Sequence, residues 1–243
     1  MPWRSTPHTP APGIIPGMLA LELHAHTRAS EDSLTRPADI VRVCERRGID
    51  RIAITDHNSI RGALEAQALS PERVIVGEEI MTTRGELLAY FVTEEIPARL
   101  EPLDVIARLR AQGAAISVSH PFDRYRGGAW READLRVIAP LVDAIEVFNA
   151  RCVHAEDNAR ALRFARELGL AGSVGSDAHT LREVGRARLL AARADSAADL
   201  VAAFKAGQAT TRLSSPAIHL ASRGAKLWKQ TTRLLRAGRK ESA

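Results

Sequence analysis

The sequence predicts an α/β fold of successive parallel βα units, a barrel in preference to an open sheet. Three observations lead there. Short β-rich apolar runs alternate with amphipathic helical stretches, giving six or seven units within 243 residues. The unusual polar residues fall at the C-terminal ends of the β runs, where a βα-barrel gathers its active site. Hydrophobic content of 45% and charged content of 26% suit one soluble globular domain with tails. Periodicity alone does not close the barrel.

The elements follow in order. Residues 1–18 hold five of the twelve prolines and read as a flexible lead, with His8 as a solvated side chain. "ALELHAHT" is a strand. "RPADIVRVCERRG" is a helix, with Thr35 as N-cap, Pro37 in the first turn and Gly48 as the stop. "RIAIT" is a strand and "SIRGALEAQAL" a helix. "RVIVGEEIMT" and "GELLAYFV" are strands joined at "TRG". "PLDVIARLRAQG" (helix), "AAISVSH" (strand), "LVDAIEVFN" (strand) and "AEDNARALRFARELG" (helix) continue the alternation. "AGSVGSDAH" runs from strand into loop, and "SAADLVAAFKAG" is the last clear helix.

Several functions are excluded or disfavoured by composition. No apolar run approaches the roughly 20 residues of a membrane span, and no secretory pattern opens the chain, so a cytoplasmic protein is expected. Cys44 and Cys152 give no disulfide framework. The net charge of +5 belongs to the C-terminus. Residues 221–243 hold seven Lys/Arg and Glu241, hence +6, and the remaining residues sum to −1. A polyanion groove across the body, at 19–220, is not indicated. The basic residues of 221–243 (Arg223, Lys226, Lys229, Arg233, Arg236, Lys240) recur at helical spacing. They read as a basic, helical tail that is either solvated or a weak contact for nucleic acid or anionic lipid. The tail is expected to stand apart from the site, so that its removal leaves small-substrate turnover unchanged.

His24 and His26 end the first strand and point the same way, because side chains alternate along a strand. Asp56 and His57 end the second, and Glu78 and Glu79 lie late in the third. Glu86 follows in the next strand. His120 ends "AAISVSH", Glu146 and Asn149 end "VDAIEVFN", and Asp177 and His179 follow "AGSVGS". Each motif alone has an ordinary explanation: an incidental H-x-H, an Asp56 that caps the next helix, a strand-ending "SHP", a capped "SDAH" loop. Their joint occurrence at successive strand ends is harder to explain without divalent cations, since buried charge needs compensation.

"LHAHTRASED", "ITDHNSIRG", "VGEEI", "SHP", "IEVFNAR" and "GSDAH" occur in the order of the polymerase-and-histidinol-phosphatase (PHP) family, and residues 21–190 resemble it. The resemblance implies a distorted (β/α)7 TIM-like barrel with two or three divalent ions, manganese, zinc or iron, at the C-terminal ends of the strands. It implies one ion at His24, His26, Glu79 and Asp177, a second at Glu79 and His120, and a third at Asp32, His57 and His179. Many members carry histidine where this chain has Glu86. An oxygen ligand there would shift preference from zinc towards manganese or iron.

The implied chemistry is phosphoester hydrolysis by a metal-activated water. No G-x-S-x-G elbow is present, and neither cysteine belongs to the strand-end set. Asp177, His179 and Arg151 are the candidate catalytic residues. Arg151 offers a planar fork for phosphate, or pairs with Glu156 or Asp157. His154 orients a leaving group or is a loop histidine, Asn149 positions substrate or caps the helix beginning near 155, and Arg124 and Arg126 lie in a glycine-flanked loop that reads as a substrate lid or as an exposed loop. The expected substrate is a small-molecule phosphate ester. The alternatives are a nuclease or 3′-end processing enzyme, and a non-catalytic metal-binding domain. With aromatics at 4%, there are few stacking platforms for a nucleic acid.

Overall fold

The computed structural model describes residues 17–241, with side chains described to residue 232. The N-terminal lead up to residue 16, including His8, lies outside the described residues, as do the side chains of Arg233, Arg236 and Lys240. Three strands run parallel: β1 (Leu19–Glu22), β2 (Arg51–Ile54) and β3 (Val74–Met81). β4 (Glu86–Tyr90) turns back antiparallel against β3 and against β5 (Ala115–Val118). Parallel pairing then resumes through β6 (Ala144–Asn149) and β7 (Gly172–Gly175). β8 (Ala187–Ala191) pairs antiparallel with the other side of β1, and β9 (Ala209–Thr211) pairs with β8.

The sheet curls into a nearly closed barrel. Past β7, Ala178 forms a parallel bridge with Ala25, so that His26 N–H donates to Ala178 O at 2.8 Å and Ala178 N–H to His24 O at 3.1 Å. This seam ties the "HAH" segment to the "SDAH" segment. The helices α1 (Pro37–Arg47), α2 (Arg61–Leu69), α3 (Pro102–Ala111), α4 (Glu132–Ile138), α5 (Ala155–Glu167) and α6 (Ala197–Ala206) connect the strands. The final helix, α7, spans Ile218–Glu241. Among the described residues, no helix is long and apolar enough to cross a membrane.

Most predicted elements form where the periodicity places them. Pro37 opens α1, and Gly48, at φ 60°, ends it in the left-handed region. Thr35 does not cap α1. Arg36 occupies the N-cap, and the Thr35 hydroxyl donates to His179 O at 3.0 Å, spent on the loop opposite. β8 was not evident in the sequence. "ARLLA" consists of residues that favour helix as much as strand, and only its alternating burial marks it as a strand.

Alternation along β3 sends Glu79 to the barrel interior and Glu78 to the opposite face. Glu78 is fully buried, accepts the Ile96 N–H at 3.0 Å, and leaves its other oxygen without a partner. Burial, with Glu95 nearby, pushes its carboxyl up to about 8. The folded state therefore holds a proton that the unfolded chain sheds near pH 4.5, and this contribution to stability is lost as pH rises towards 8. We expect Glu78→Gln to unfold at higher temperature than wild type above pH 8, by on the order of 1–3 kcal/mol, and to differ little near pH 4.5. Thermal unfolding across that range checks it.

Candidate metal centre

Five imidazoles and four carboxylates converge at the C-terminal end of the barrel. Glu79 lies at their centre, fully buried. One of its oxygens is 3.3 Å from His24 Nε2, 3.4 Å from His26 Nε2 and 3.0 Å from His57 Nδ1, and the other is 3.2 Å from His120 Nε2. Asp177 Oδ1 is 3.2 Å from His26 Nε2, 3.7 Å from His24 Nε2 and 3.3 Å from His179 Nδ1. Asp32 Oδ2 is 3.0 Å from His179 Nε2 and 3.7 Å from His57 Nε2. Glu86 is 3.5 Å from His120 and 3.8 Å from His57.

Three overlapping groups could each hold a cation: His24, His26 and Asp177; His57, Glu79 and Glu86; and His26, His57 and His179. All nine residues expected from the sequence are brought together. The sharing differs from the implied partition, since His57 reaches Glu79 and Glu86 as well as Asp32, and His26 borders two groups. Glu86 lies in β4 and is buried. A Cβ on Gly128 would come within 1.8 Å of a Glu86 carboxylate oxygen, and Gly128 O accepts the Glu86 N–H at 3.1 Å, so the loop closes directly over this side chain.

A second layer of residues aims the first. Glu146 accepts from His24 Nδ1 at 3.0 Å and from His120 N–H at 2.8 Å. His26 Nδ1 meets the Ser30 hydroxyl at 3.0 Å, and that hydroxyl donates to Asp56 at 2.6 Å. Asp56 also accepts from Thr27 N–H and Oγ1, so it anchors the "HAHTRAS" loop and does not cap α2, whose N-cap is Ile60. Ser119 donates to Glu79 at 2.6 Å. Pinning Nδ1 of His24 and His26 leaves Nε2 of each facing the cluster, the arrangement a ligating histidine needs. Asp177 sits at φ 53°, a costly conformation outside glycine that gathers at functional sites. Asn149 holds its Oδ2 at 3.1 Å. Gly175 allows the close approach of β7, because a Cβ there would lie 2.4 Å from His24 Cβ.

The fit to cations rests on the buried atoms left over. His24 Nε2, His26 Nε2, both ring nitrogens of His120, Glu79 Oε2, Asp32 Oδ1 and Asp177 Oδ1 are buried without a hydrogen-bond partner. Unpaired buried groups of this kind are costly, and a divalent ion satisfies several at once. Burial opposes charge on the carboxylates, yet Arg126 and His24 hold Asp177 well below the usual range, and His24 and His57 do the same for Glu79. Burial and the neighbouring His179 and His57 push His26 down to about 4, so its ring is neutral near pH 7 and able to ligate.

The arginines divide. Arg126 pairs with Asp177 Oδ2 and lies 3.1 Å from Asp123, while its buried Nη2 has no partner. Arg151 is buried with Nε 3.5 Å from Glu183, Nη1 on Asp177 O at 3.4 Å and Nη2 on the Ser222 hydroxyl at 2.8 Å. Its acidic neighbour is thus Glu183, not Glu156 or Asp157. Asp157 lies against Arg124 at 3.4 Å, and the exposed His154 contacts Tyr125 at 3.3 Å. Glu22 and Glu183 were missed in the sequence. Glu22 precedes His24 by two, which the alternation "E-x-H-x-H" does signal, and it anchors Ser176 N–H at 3.0 Å. Glu183 carries no local signal.

The expected separation of tail and site does not hold. Ser222, on α7, is the partner of Arg151, and Lys229 Nζ donates to Arg28 O at 2.7 Å and to Ser30 O, in the loop between His26 and Asp32.

Residues 22–105 match the PHP domain family and residues 155–209 the PHP-associated family. The chain belongs to the PHP family. An uncharacterized protein of Methanocaldococcus jannaschii is 37% identical over 172 residues, 70% of this chain and 69% of that protein. Among solved structures, the chain resembles a two-domain protein from Bacteroides vulgatus that contains a predicted PHP-like metal-dependent phosphoesterase. That match has a TM-score of 0.62 at 20% identity, covering 80% of this chain and 65% of that one. It also resembles the lesion-specific endonuclease EndoQ of Pyrococcus furiosus, with a TM-score of 0.54 at 13% identity, over 79% of this chain and 57% of that one. At these identities the likeness is one of fold.

Elemental analysis of protein purified without chelator should find at least two divalent ions per chain. His57→Ala and Asp177→Asn should each lower that content while leaving the far-ultraviolet spectrum unchanged. Truncation before Ile218 should weaken metal binding about tenfold or more, through lost support of Arg151 and the 28–30 loop, as second-layer removals commonly do. Titration with manganese measures this, and unchanged affinity would show that α7 is merely apposed.

Proposed function

We propose that the protein is a hydrolase, a metal-dependent phosphoesterase acting on a small-molecule phosphate ester. The observation that carries this reading is the set of buried, unpartnered His and carboxylate atoms beside a guanidinium with a free, buried Nη2. His24, His26, Glu79 and Asp177 would hold one ion, Glu79, Glu86 and His120 a second, and Asp32, His57 and His179 a third. Bound divalent ions supply a water acidified towards neutral pH and positive charge for phosphoryl oxygens. Glu86 adds an oxygen donor, which favours manganese or iron over zinc.

The remaining steps belong to the chain. Arg126 presents its fork beside Asp177, where phosphoryl oxygens would sit, and we assign it the substrate contact. Arg151 braces the backbone of Asp177 from beneath, a positioning role, since its donors are directed at Glu183, Asp177 O and Ser222. Glu146 and Ser30 keep His24 and His26 oriented. Asn149 fixes Asp177 Oδ2. Gly128 lets the Arg126 loop pack directly against Glu86, with open space at Gly127.

The near-neutral body and scarce aromatics favour a small ester over a polynucleotide. One observation favours the nucleic-acid reading: residues 200–240 contain nine Lys/Arg and no Asp or Glu. Hydrolysis of nucleotide monophosphates and other phosphate esters, against single-stranded oligonucleotides, with manganese, iron and zinc in turn, separates the two. Turnover of the small esters alone is expected.

Arg126→Gln should lower kcat/KM about 10–100-fold, the effect of a lost charge-assisted contact, with metal content unchanged. Arg126→Lys should recover part of it, as a point charge lacking the fork. Steady-state kinetics with elemental analysis checks this. Loss of metal in Arg126→Gln would instead make the arginine a structural partner of Asp177.

A further inference from the structure

α7 has two faces of different character. Ser222 and Ala225 are buried against the body, and Lys229 reaches down to Arg28 O and Ser30 O. These positions, three and four apart, form one stripe. On the outward side stand Leu220, Leu227 and Trp228, which are 69%, 65% and 63% exposed. Gly224 and Thr231 continue that side, and Arg223 and Lys226, also exposed, flank it. Leu234 and Leu235 extend the apolar spacing in the sequence, outside the described side chains. The stretch 200–240 carries nine Lys/Arg and no acidic residue, so it is +9 in a chain of +5, leaving −4 elsewhere.

We propose that this outward face is an interfacial anchor that binds the surface of an anionic lipid bilayer. A helix with apolar residues including Trp on one side, cations on its flank and no acidic residue before its last position, Glu241, is suited to lie at the headgroup boundary. The apolar side chains enter the acyl margin while Arg223 and Lys226 meet anionic headgroups, each cation near the surface adding attraction. Charge decides against the other occupants. A second copy would set two strongly basic helices against each other. A nucleic acid would use the cations and leave three large apolar side chains in water. The inward face is already committed to the barrel, so α7 can dock outward without leaving Arg151.

The test uses the full-length, metal-loaded protein with vesicles of phosphatidylcholine alone and of phosphatidylcholine with phosphatidylglycerol. The protein should sediment with the anionic vesicles only, and less so as salt is raised. Trp228 emission should shift to the blue, a shift absent in Trp228→Phe. Leu227→Glu with Trp228→Glu should weaken sedimentation on the order of tenfold or more, given the transfer free energy of two such side chains. Leu220→Lys is the second variant, should the first fold poorly, and metal content reports folding in each. Three results would overturn the proposal. One is no binding to anionic vesicles. Another is binding undiminished by both variants, the sign of a charge-only contact such as nucleic acid. The third is a dimer in sedimentation equilibrium that the same variants dissolve.

Discussion

One buried carboxylate orders the site. Glu79 lies within 3.4 Å of four imidazoles that arrive from three other places in the chain: the end of β1, the end of β2 and the end of β5. A fully desolvated carboxylate is tolerated only where positive charge or donors surround it. The surrounding groups are themselves unsatisfied, with Nε2 of His24, His26 and His120 lacking hydrogen-bond partners. The cluster is therefore not closed upon itself. It is held open by second-layer contacts from Glu146, Ser30 and Ser119, and a cation would complete it.

That centre explains features of the fold that packing alone leaves unexplained. β4 reverses direction between two parallel neighbours, and the reversal delivers Glu86 beside Glu79, a position that a crossover helix would leave empty. The Ala25–Ala178 bridge closes the barrel only at its C-terminal end, which sets His24 and His26 against Asp177 and His179. Gly175 gives up a side chain so that His24 and Glu146 can pass. Asp177 accepts a positive φ for its position between Asn149, Arg126 and the imidazoles.

Much of this was legible in the sequence because two periodicities are strong. Strand alternation put His24 and His26 on one face and Glu79 apart from Glu78. Helix patterning with Pro37, Gly48 and Gly207 fixed the spacing between strand ends, and hence the rank of polar groups. What was not legible depends on contacts with no local trace. β8 is five residues of Ala, Arg and Leu that become a strand only because β1 offers an open edge. Thr35 had the composition of a cap, but His179 O was the stronger claim on its hydroxyl. The division between Arg126 and Arg151 lay beyond sequence reasoning, since both lie close after a strand end and only the packing of Glu183 and Ser222 commits one of them inward. The tail was misjudged for the same reason. Its charge was visible, while the carbonyls of Arg28 and Ser30 that receive Lys229 were not.

The electrostatics imply an order of events. Asp32, Glu79, Glu86 and Asp177 face one another with the guanidinium of Arg126 paired to Asp177 Oδ2, and an anion approaching that set meets net repulsion. The imidazoles partly offset this. Burial alone would lower them, but Asp177, Glu79 and Glu146 hold His24 well above its ordinary range, and Glu79 and Asp32 do so for His57. Protons thus occupy positions that cations would take, and cation binding must release them, so affinity falls as pH drops. With the carboxylates committed to divalent charge, the same pocket would change sign, and Arg126, no longer the principal counter-charge of Asp177, would have its buried, unpartnered Nη2 free for an anion. An anion would then be attracted to the site that repelled it. On the proposed function the site would be filled twice, first by cations through its histidines and carboxylates, and then by an anion through the charge those cations would leave in excess.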